Sequence, residues 1–261
     1  MKKFRIFGER AVDPLADILT EAKLQRITDF SPKDIFLVGY PKSGNTWMQY
    51  LIAGLVFGID ASFAQDSLIQ DLVPDVYYKR FYRRYLTPTC FKTHDLPQPK
   101  FRKIIYIFRD GRDVMVSLFH HLKAIGTYTD YSELVTTGKN LFPCRWHEHV
   151  ESWLGNPYGA EMITISYEDL QRNAIRELQK ICEFAGLERK QPILERVARQ
   201  TTFEIMRASE KKLGRDNPLW PKDTLFFRRG KVGCFEDEMP KQPLEAFSKM
   251  SMPTLERLGY L

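Results

Sequence analysis

Three short runs of the chain are apolar almost without interruption: residues 35–39 (IFLVG), 103–108 (KIIYIF) and 162–166 (MITIS). A strand with one wet face alternates apolar and polar positions, so continuous runs of this length predict strands covered on both faces. Each run leads into a stretch with helical character, over 46–57, 112–123 and 167–185. The third starts SYEDL, where Ser166 is a candidate N-cap and Asp169 stands three residues on, as in a capping box. A fourth strand is expected in PTCFKTH (88–94), stopped by DLPQP. Strands alternating with helices imply an α/β fold: a central parallel sheet flanked by helices. Residues 186–261 read as helices and a polar loop, with no clear period over 217–243. YYKRFYRRYL (77–86) reads as an amphipathic helix or a flexible lid. No repeat and no linker interrupts the chain, so one domain over 1–261 is expected.

Composition narrows this only a little. The chain has 261 residues, 43% hydrophobic and 28% charged, enough to bury a full core. Its four cysteines are widely spaced with no CxxC pair, which favours a reducing, cytoplasmic setting over disulfides or a metal. The N-terminal MKKFRIFGERAVD lacks the apolar core of a signal peptide, and TWMQYLIAGLVFGI is too short and too polar at Gln49 to span a bilayer. No membrane association is therefore expected. The formal net charge of +6 favours anionic partners without choosing among them.

The first strand–helix junction carries the most particular chemistry. FLVGYPKSGNTWMQY (36–50) is nearly a triphosphate loop, G-x-x-x-x-G-K-[ST]. Gly39, Gly44 and Thr46 fall in place, but Asn45 stands at the lysine position and Lys42 sits inside the loop. A glycine-bearing turn that opens a helix presents backbone N–H groups to an anion. Taken alone, it could equally be a tight turn with a surface lysine. In YIFRDGRDVMVSLFHH (106–121), Arg109 ends a strand and Ser117 follows on a helix, a pair able to clasp a phosphate. An ordinary βα turn with an exposed arginine reads the same way. FKTHDLP (91–97) places His94 at a strand end, suited to a general base or to a plain core histidine. FFRRGKVG (226–233) is a basic loop. An ATP-dependent kinase would need a lysine at 45 and a carboxylate for Mg²⁺, of which only Asp110 is available. A single-strand nucleic-acid binder would use the aromatics and cations of 77–86, and is the less favoured reading.

Taken together, these stretches resemble the cytosolic-type sulfotransferases. YPKSGNTW resembles the family's 5′-phosphosulfate loop Y-P-K-S-G-T-T-W, departing only at Asn45. RDGRDVMVS resembles its 3′-phosphate signature, KTHDLP its K-T-H-x-P, and RRGKVG its R-K-G-x-x-G, with Arg229 for Lys. After Gly233 the family continues D-W, whereas this chain reads Cys234-Phe235. The resemblance implies 3′-phosphoadenosine-5′-phosphosulfate (PAPS) as sulfuryl donor, 3′-phosphoadenosine-5′-phosphate (PAP) as product, and no metal. It implies His94 as catalytic base, Lys42 at the breaking bond and Lys92 beside the transferred group. Lys42, Ser43, Gly44, Asn45, Thr46 and Trp47 would hold the 5′-phosphosulfate. Arg109, Ser117, Arg228, Arg229 and Gly230 would hold the 3′-phosphate. Trp47, Tyr167 (in SYEDL), Thr202 and Phe203 (in TTFEIM) and Phe227 would meet the adenine. The acceptor would be a small molecule bound by variable loops over 62–87 and 124–145. Tyr77, Tyr78, Phe81, Tyr82, Tyr128 and Trp146 are aromatic candidates there, with Asp75, Asp130 and Glu133 to orient a polar group. The family's K-T-V-E-type dimer motif is not seen, so no oligomer is assumed. The short C-terminus resembles bacterial members.

Overall fold

The computed structural model describes residues 19, 21–127, 129–215, 217 and 220–261. Six strands occur among them: β1 (Gln25–Arg26), β2 (Ile35–Val38), β3 (Phe81–Tyr82), β4 (Cys90–Thr93), β5 (Lys103–Phe108) and β6 (Glu161–Ser166). Four form a parallel sheet in the order β4-β2-β5-β6. Register is set by Ile35 opposite both Cys90 and Lys103, and by Lys103 opposite Glu161.

The continuous apolar runs have their cause in this sheet. Successive side chains of a strand point to opposite faces. Ile35, Leu37, Ile105 and Ile107 therefore join one core cluster, with α1 (Asn45–Phe57), α6 (Ala174–Ala185) and α7 (Gln191–Gln200). Phe36, Val38, Ile104 and Tyr106 join another on the opposite face, together with Phe91, Phe101 and Trp153. A third cluster unites α3 (Gly111–Ala124), α4 (Trp146–Leu154), α10 (Lys241–Met250) and α11 (Met252–Arg257). The result is a single α/β domain with a parallel sheet covered on both sides, as its strand–helix alternation predicts.

Three local expectations need correction. The helix expected over 167–185 is two: α5 (Tyr167–Arg172) and α6, separated by Asn173 at φ −150. The Asn173 side chain accepts from Arg176 N and so starts α6 afresh. Ser166 does cap α5 by accepting from Asp169 N, but Asp169 pairs with Arg172 instead of reaching back, so no capping box closes. Residues 77–86 form no helix. Phe81–Tyr82 is a short strand antiparallel to Gln25–Arg26. Tyr82 is driven into the core against Phe91, and Arg84 grips buried Asp34 with both terminal nitrogens (2.7 and 2.8 Å). These two anchors hold the segment extended.

Candidate active site

The carboxyl ends of β2, β4 and β5 open into one cavity of about 1030 Å³. This is where open parallel sheets place ligands. The 39–44 turn after β2 leads directly into α1. A Cβ on Gly39 would lie 2.6 Å from both Asn45 Oδ1 and Ile107 O, and Gly44 takes φ +103 beneath the Tyr167 ring. Asn45 Nδ2 donates to Tyr40 O (2.9 Å), as does Ser43 N (3.1 Å), so both residues brace the turn from within. Lys42 takes φ +73, rare for a residue with a Cβ, at the crown of the turn. No side chain caps α1 and no acidic residue occupies its first turn, which leaves its first N–H groups open to an anion.

β4 supplies Lys92 and, just past its end, His94. The His94 Nδ1 lies 2.6 Å from Gly39 O, which fixes the proton on Nδ1 and leaves the Nε2 lone pair unspent. Burial, helped by Lys92, holds this imidazole well below its ordinary pKa. Lys92 is buried in an ion pair with Asp75. Tyr77 stacks on His94 at 6.3 Å and donates its hydroxyl to Asp95.

β5 delivers Arg109. Its Nη2 donates to Asp113 Oδ2 (3.1 Å) and Lys231 O (2.8 Å), its guanidinium lies 4.4 Å from the Tyr167 ring centre, and its buried Nε has no partner among the described residues. Asp113 also accepts from Gly233 N and Phe235 N, which ties the loop after 226 to α3. In that loop Arg228 and Arg229 both reach Glu238, at the end of α9 (Cys234–Glu238). The Cys234-Phe235 departure is thus accommodated by a short helix held to Asp113.

Trp47 meets Tyr167 edge-on (5.6 Å) and donates to Thr201 O. Thr202 caps α8 (Phe203–Leu213), and the Phe203 ring lies directly under Gly230. Glu210 accepts from Phe226 N and Phe227 N, which fixes the next stretch of loop. Lys42 Nζ lies 4.1 Å from the Phe226 ring centre. Burial, then the charges of Arg215, Lys92, Arg109 and Arg228, push the Lys42 pKa down to about 7. A cavity that discharges its own lysine is short of anions.

Every site residue expected from the sequence lines this cavity except Ser43, which is fully buried beneath the turn, its Oγ without a partner among the described residues. Its N–H is spent on Tyr40 O. Of the acceptor candidates, Asp75, Tyr77 and Tyr78 line the cavity, along with Asn140 and Phe142 of the second loop. Tyr82 and Trp146 are core residues, Phe81 lies off the cavity, and Tyr128 falls outside the described residues. Asp130 caps Glu133 N, and Glu133 pairs with Lys139. Sequence reasoning missed the carboxylates Asp113, Glu210 and Glu238, the pairing of Asp75 with Lys92, and the cavity residues His121 and Arg215. Only Asp113 was signalled, by its i,i+4 spacing from Arg109.

The model of the sulfotransferase domain matches residues 32–259. Human Sulfotransferase 1C2 is 25% identical over 257 residues, covering 86% of this chain and 84% of its own. Mouse Sulfotransferase 1B1 is 28% identical over 272 residues, covering 89% and 88%. Among solved structures, mouse sulfotransferase SULT7A1 complexed with PAP superposes with a TM-score of 0.65 at 24% identity, covering 87% of this chain and 85% of that one. A retinol dehydratase in complex with androsterone and PAP gives 0.68 at 21% identity, covering 87% and 82%. These relatives named with an organism are mammalian, so the expectation of a bacterial member finds no support. The chain belongs to the sulfotransferase family, the PAPS-dependent enzymes that its loop and basic motifs resemble.

Proposed function

We propose that this protein transfers the sulfuryl group of PAPS to a hydroxyl or amine of a small-molecule acceptor, with His94 as base. The observation that carries the reading is the His94 tautomer: Nδ1 is committed to Gly39 O and Nε2 is left as an acceptor in the cavity that Lys42 shares. A base already neutral at working pH needs no prior deprotonation. His94 Nε2 removes the acceptor proton as the nucleophile closes on sulfur. Lys42 and the N–H groups at the start of α1 stabilise the charge that builds on the leaving 5′-phosphate oxygen. Lys92, held in place by Asp75, steadies the sulfonate oxygens. Position and preorganised charge supply most of the catalysis, as in phosphoryl transfer. Trp47, Tyr167, Thr202, Phe203 and Phe227 take the adenine. Arg109, Ser117, Arg228, Arg229 and Gly230 take the 3′-phosphate.

Small acceptors accord with the retinol dehydratase complex, which holds androsterone, and with a 26% identical rabbit relative named an amine sulfotransferase. The aromatic wall of Tyr77, Tyr78 and Phe142 suits a planar or apolar acceptor. No helix among the described residues is long and apolar enough to cross a membrane. The four cysteines are free thiols, in keeping with the proposed cytoplasmic site of action.

The test is incubation with labelled PAPS and a panel of phenols, alcohols and amines, read by mass for added SO₃, beside calorimetry with PAP and AMP. Transfer to a panel member and tighter binding of PAP than AMP are expected. His94→Ala should lower kcat by on the order of 10²–10⁴ while PAP binding stays. Equal affinity for PAP and AMP would overturn the donor assignment, and loss of PAP binding in His94→Ala would make His94 a structural residue.

A further inference from the structure

Arg228 and Arg229 end their side chains on one carboxylate that does not line the cavity. Glu238 Oε2 accepts from Arg228 Nη1 (2.6 Å) and from His120 Nε2 (2.7 Å). Its Oε1 accepts from Arg228 Nη2 (2.9 Å) and Arg229 Nη1 (2.7 Å). A carboxylate has about four lone-pair sites, and here four donors occupy them. Burial works against its charge, but the hydrogen bonds from Arg228, Arg229 and His120 hold the carboxyl down at about 2, so it is ionised at any working pH.

The geometry leaves the two arginines unlike ordinary surface side chains. Arg228 meets Glu238 through both terminal nitrogens, which spends its end-on edge and leaves Nε and the second Nη hydrogens. Arg229 spends Nη1 and keeps Nε, with Nη2 only 3.6 Å from Asp237 at the exposed rim. Glu238 itself is fixed, because Gly233 is the N-cap of α9 and both Gly233 N and Phe235 N are held by Asp113 (2.9 and 3.1 Å). Asp113 is also the anchor of Arg109. Two carboxylates, Asp113 in the cavity wall and Glu238 behind it, thus hold three cations that face into the cavity.

Building on the donor reading above, we propose that Glu238 is a positioning residue for donor recognition: it anchors Arg228 and Arg229 through their terminal nitrogens and leaves their remaining N–H groups for the 3′-phosphate. Two free arginines would repel each other and lose side-chain freedom on meeting a phosphate, and an anchoring carboxylate removes both costs beforehand. The carboxylate supports the clasp from behind and does not compete for it, because its own acceptor sites are full.

The test is calorimetry with PAP and with AMP on the wild-type chain, E238Q and E238D, together with steady-state kinetics on PAPS. E238Q keeps the shape but loses the charge. It should weaken PAP by about tenfold, leave AMP unchanged, and raise KM for PAPS with kcat at saturating donor held. E238D, which keeps the charge, should recover part of the preference for PAP, and it serves as the comparison if E238Q does not fold. Unchanged or tighter PAP binding in E238Q would overturn the proposal and make the carboxylate a competitor of the phosphate. Equal weakening of PAP and AMP would also overturn it, as a general support of the fold. A wild-type chain that does not distinguish PAP from AMP would sink the donor reading itself, a separate result visible before any variant is made.

Discussion

Lys42 sits among Arg215, Lys92, Arg109 and Arg228, and together with desolvation these hold its pKa at about 7. A bound dianion reverses that balance. Lys42 gains an opposite charge at close range, so its pKa in the complex rises above its free value. Between those two values binding takes up a proton. The Lys42 contribution to PAP affinity should therefore be level below about 7 and fall as pH rises above it, by up to about tenfold per unit. Phosphate's own second ionisation, near pH ~6, is complete in this window and does not mask the effect. Calorimetry above pH 7 in two buffers of different ionisation enthalpy reads the proton directly, and Lys42→Met should abolish it. Proton release, or uptake that survives in Lys42→Met, would contradict the assignment. Lys42 was legible because its displacement within a known loop pattern is itself a signal. The pairing of Asp75 with Lys92 and of Glu238 with Arg228 was not, because each carboxylate acts on a cation through space, 17 and 10 positions away in the chain. No periodicity marks either of them.

The stretch 226–231 illustrates how a connection without regular structure can be held in place. Glu210 grips Phe226 N and Phe227 N, Gln171 donates to Gly230 O, and Arg109 donates to Lys231 O. Gly230 takes φ +62, and a Cβ there would fall 2.2 Å from the Phe203 ring. Gly230→Ala should therefore carry about 1–2 kcal/mol of backbone strain, plus the displacement of Phe203 from its place against the loop. A lower melting temperature and PAP affinity reduced by at least about tenfold are expected, read by scanning calorimetry and titration. A variant with wild-type values on both would show that the loop has no fixed path. The four strands of the parallel sheet were read from sequence, most clearly β2 and β5, because a doubly covered parallel strand is apolar at nearly every position; the short β1 and β3 were not. The break at Asn173 was missed because Tyr167 to Ala185 keeps a helical period across it. The extended path of 77–86 was missed because the anchors of Tyr82 and Arg84, Gln25 and Asp34, lie more than 45 residues away in the chain.

The cavity draws on separate parts of the chain: the 42–47 turn, Lys92 and His94, Arg109 and Ser117, Tyr167, 202–203 and 226–230. An unfolded chain holds none of these together, so PAP binds the folded state alone and stabilises it by mass action. At about one hundred times its Kd the gain is about 2.7 kcal/mol, which for a chain of this size raises the melting temperature by about 5–10 °C. The same geometry says where that energy comes from. In the proposed placement the ends of the nucleotide meet cations, whereas its base meets Trp47, Tyr167 and Phe203, which salt does not screen. If the clasps on the two phosphates dominate, Kd for PAP should weaken markedly between about 50 and about 500 mM salt, and the thermal shift at fixed PAP should shrink with it. AMP, lacking the 3′-phosphate, should give a smaller shift with a shallower salt dependence. Parallel titrations of both nucleotides across that range decide the matter: equal slopes would mean that Arg109, Arg228 and Arg229 add nothing specific, and that the aromatic slot and the turn alone hold the nucleotide.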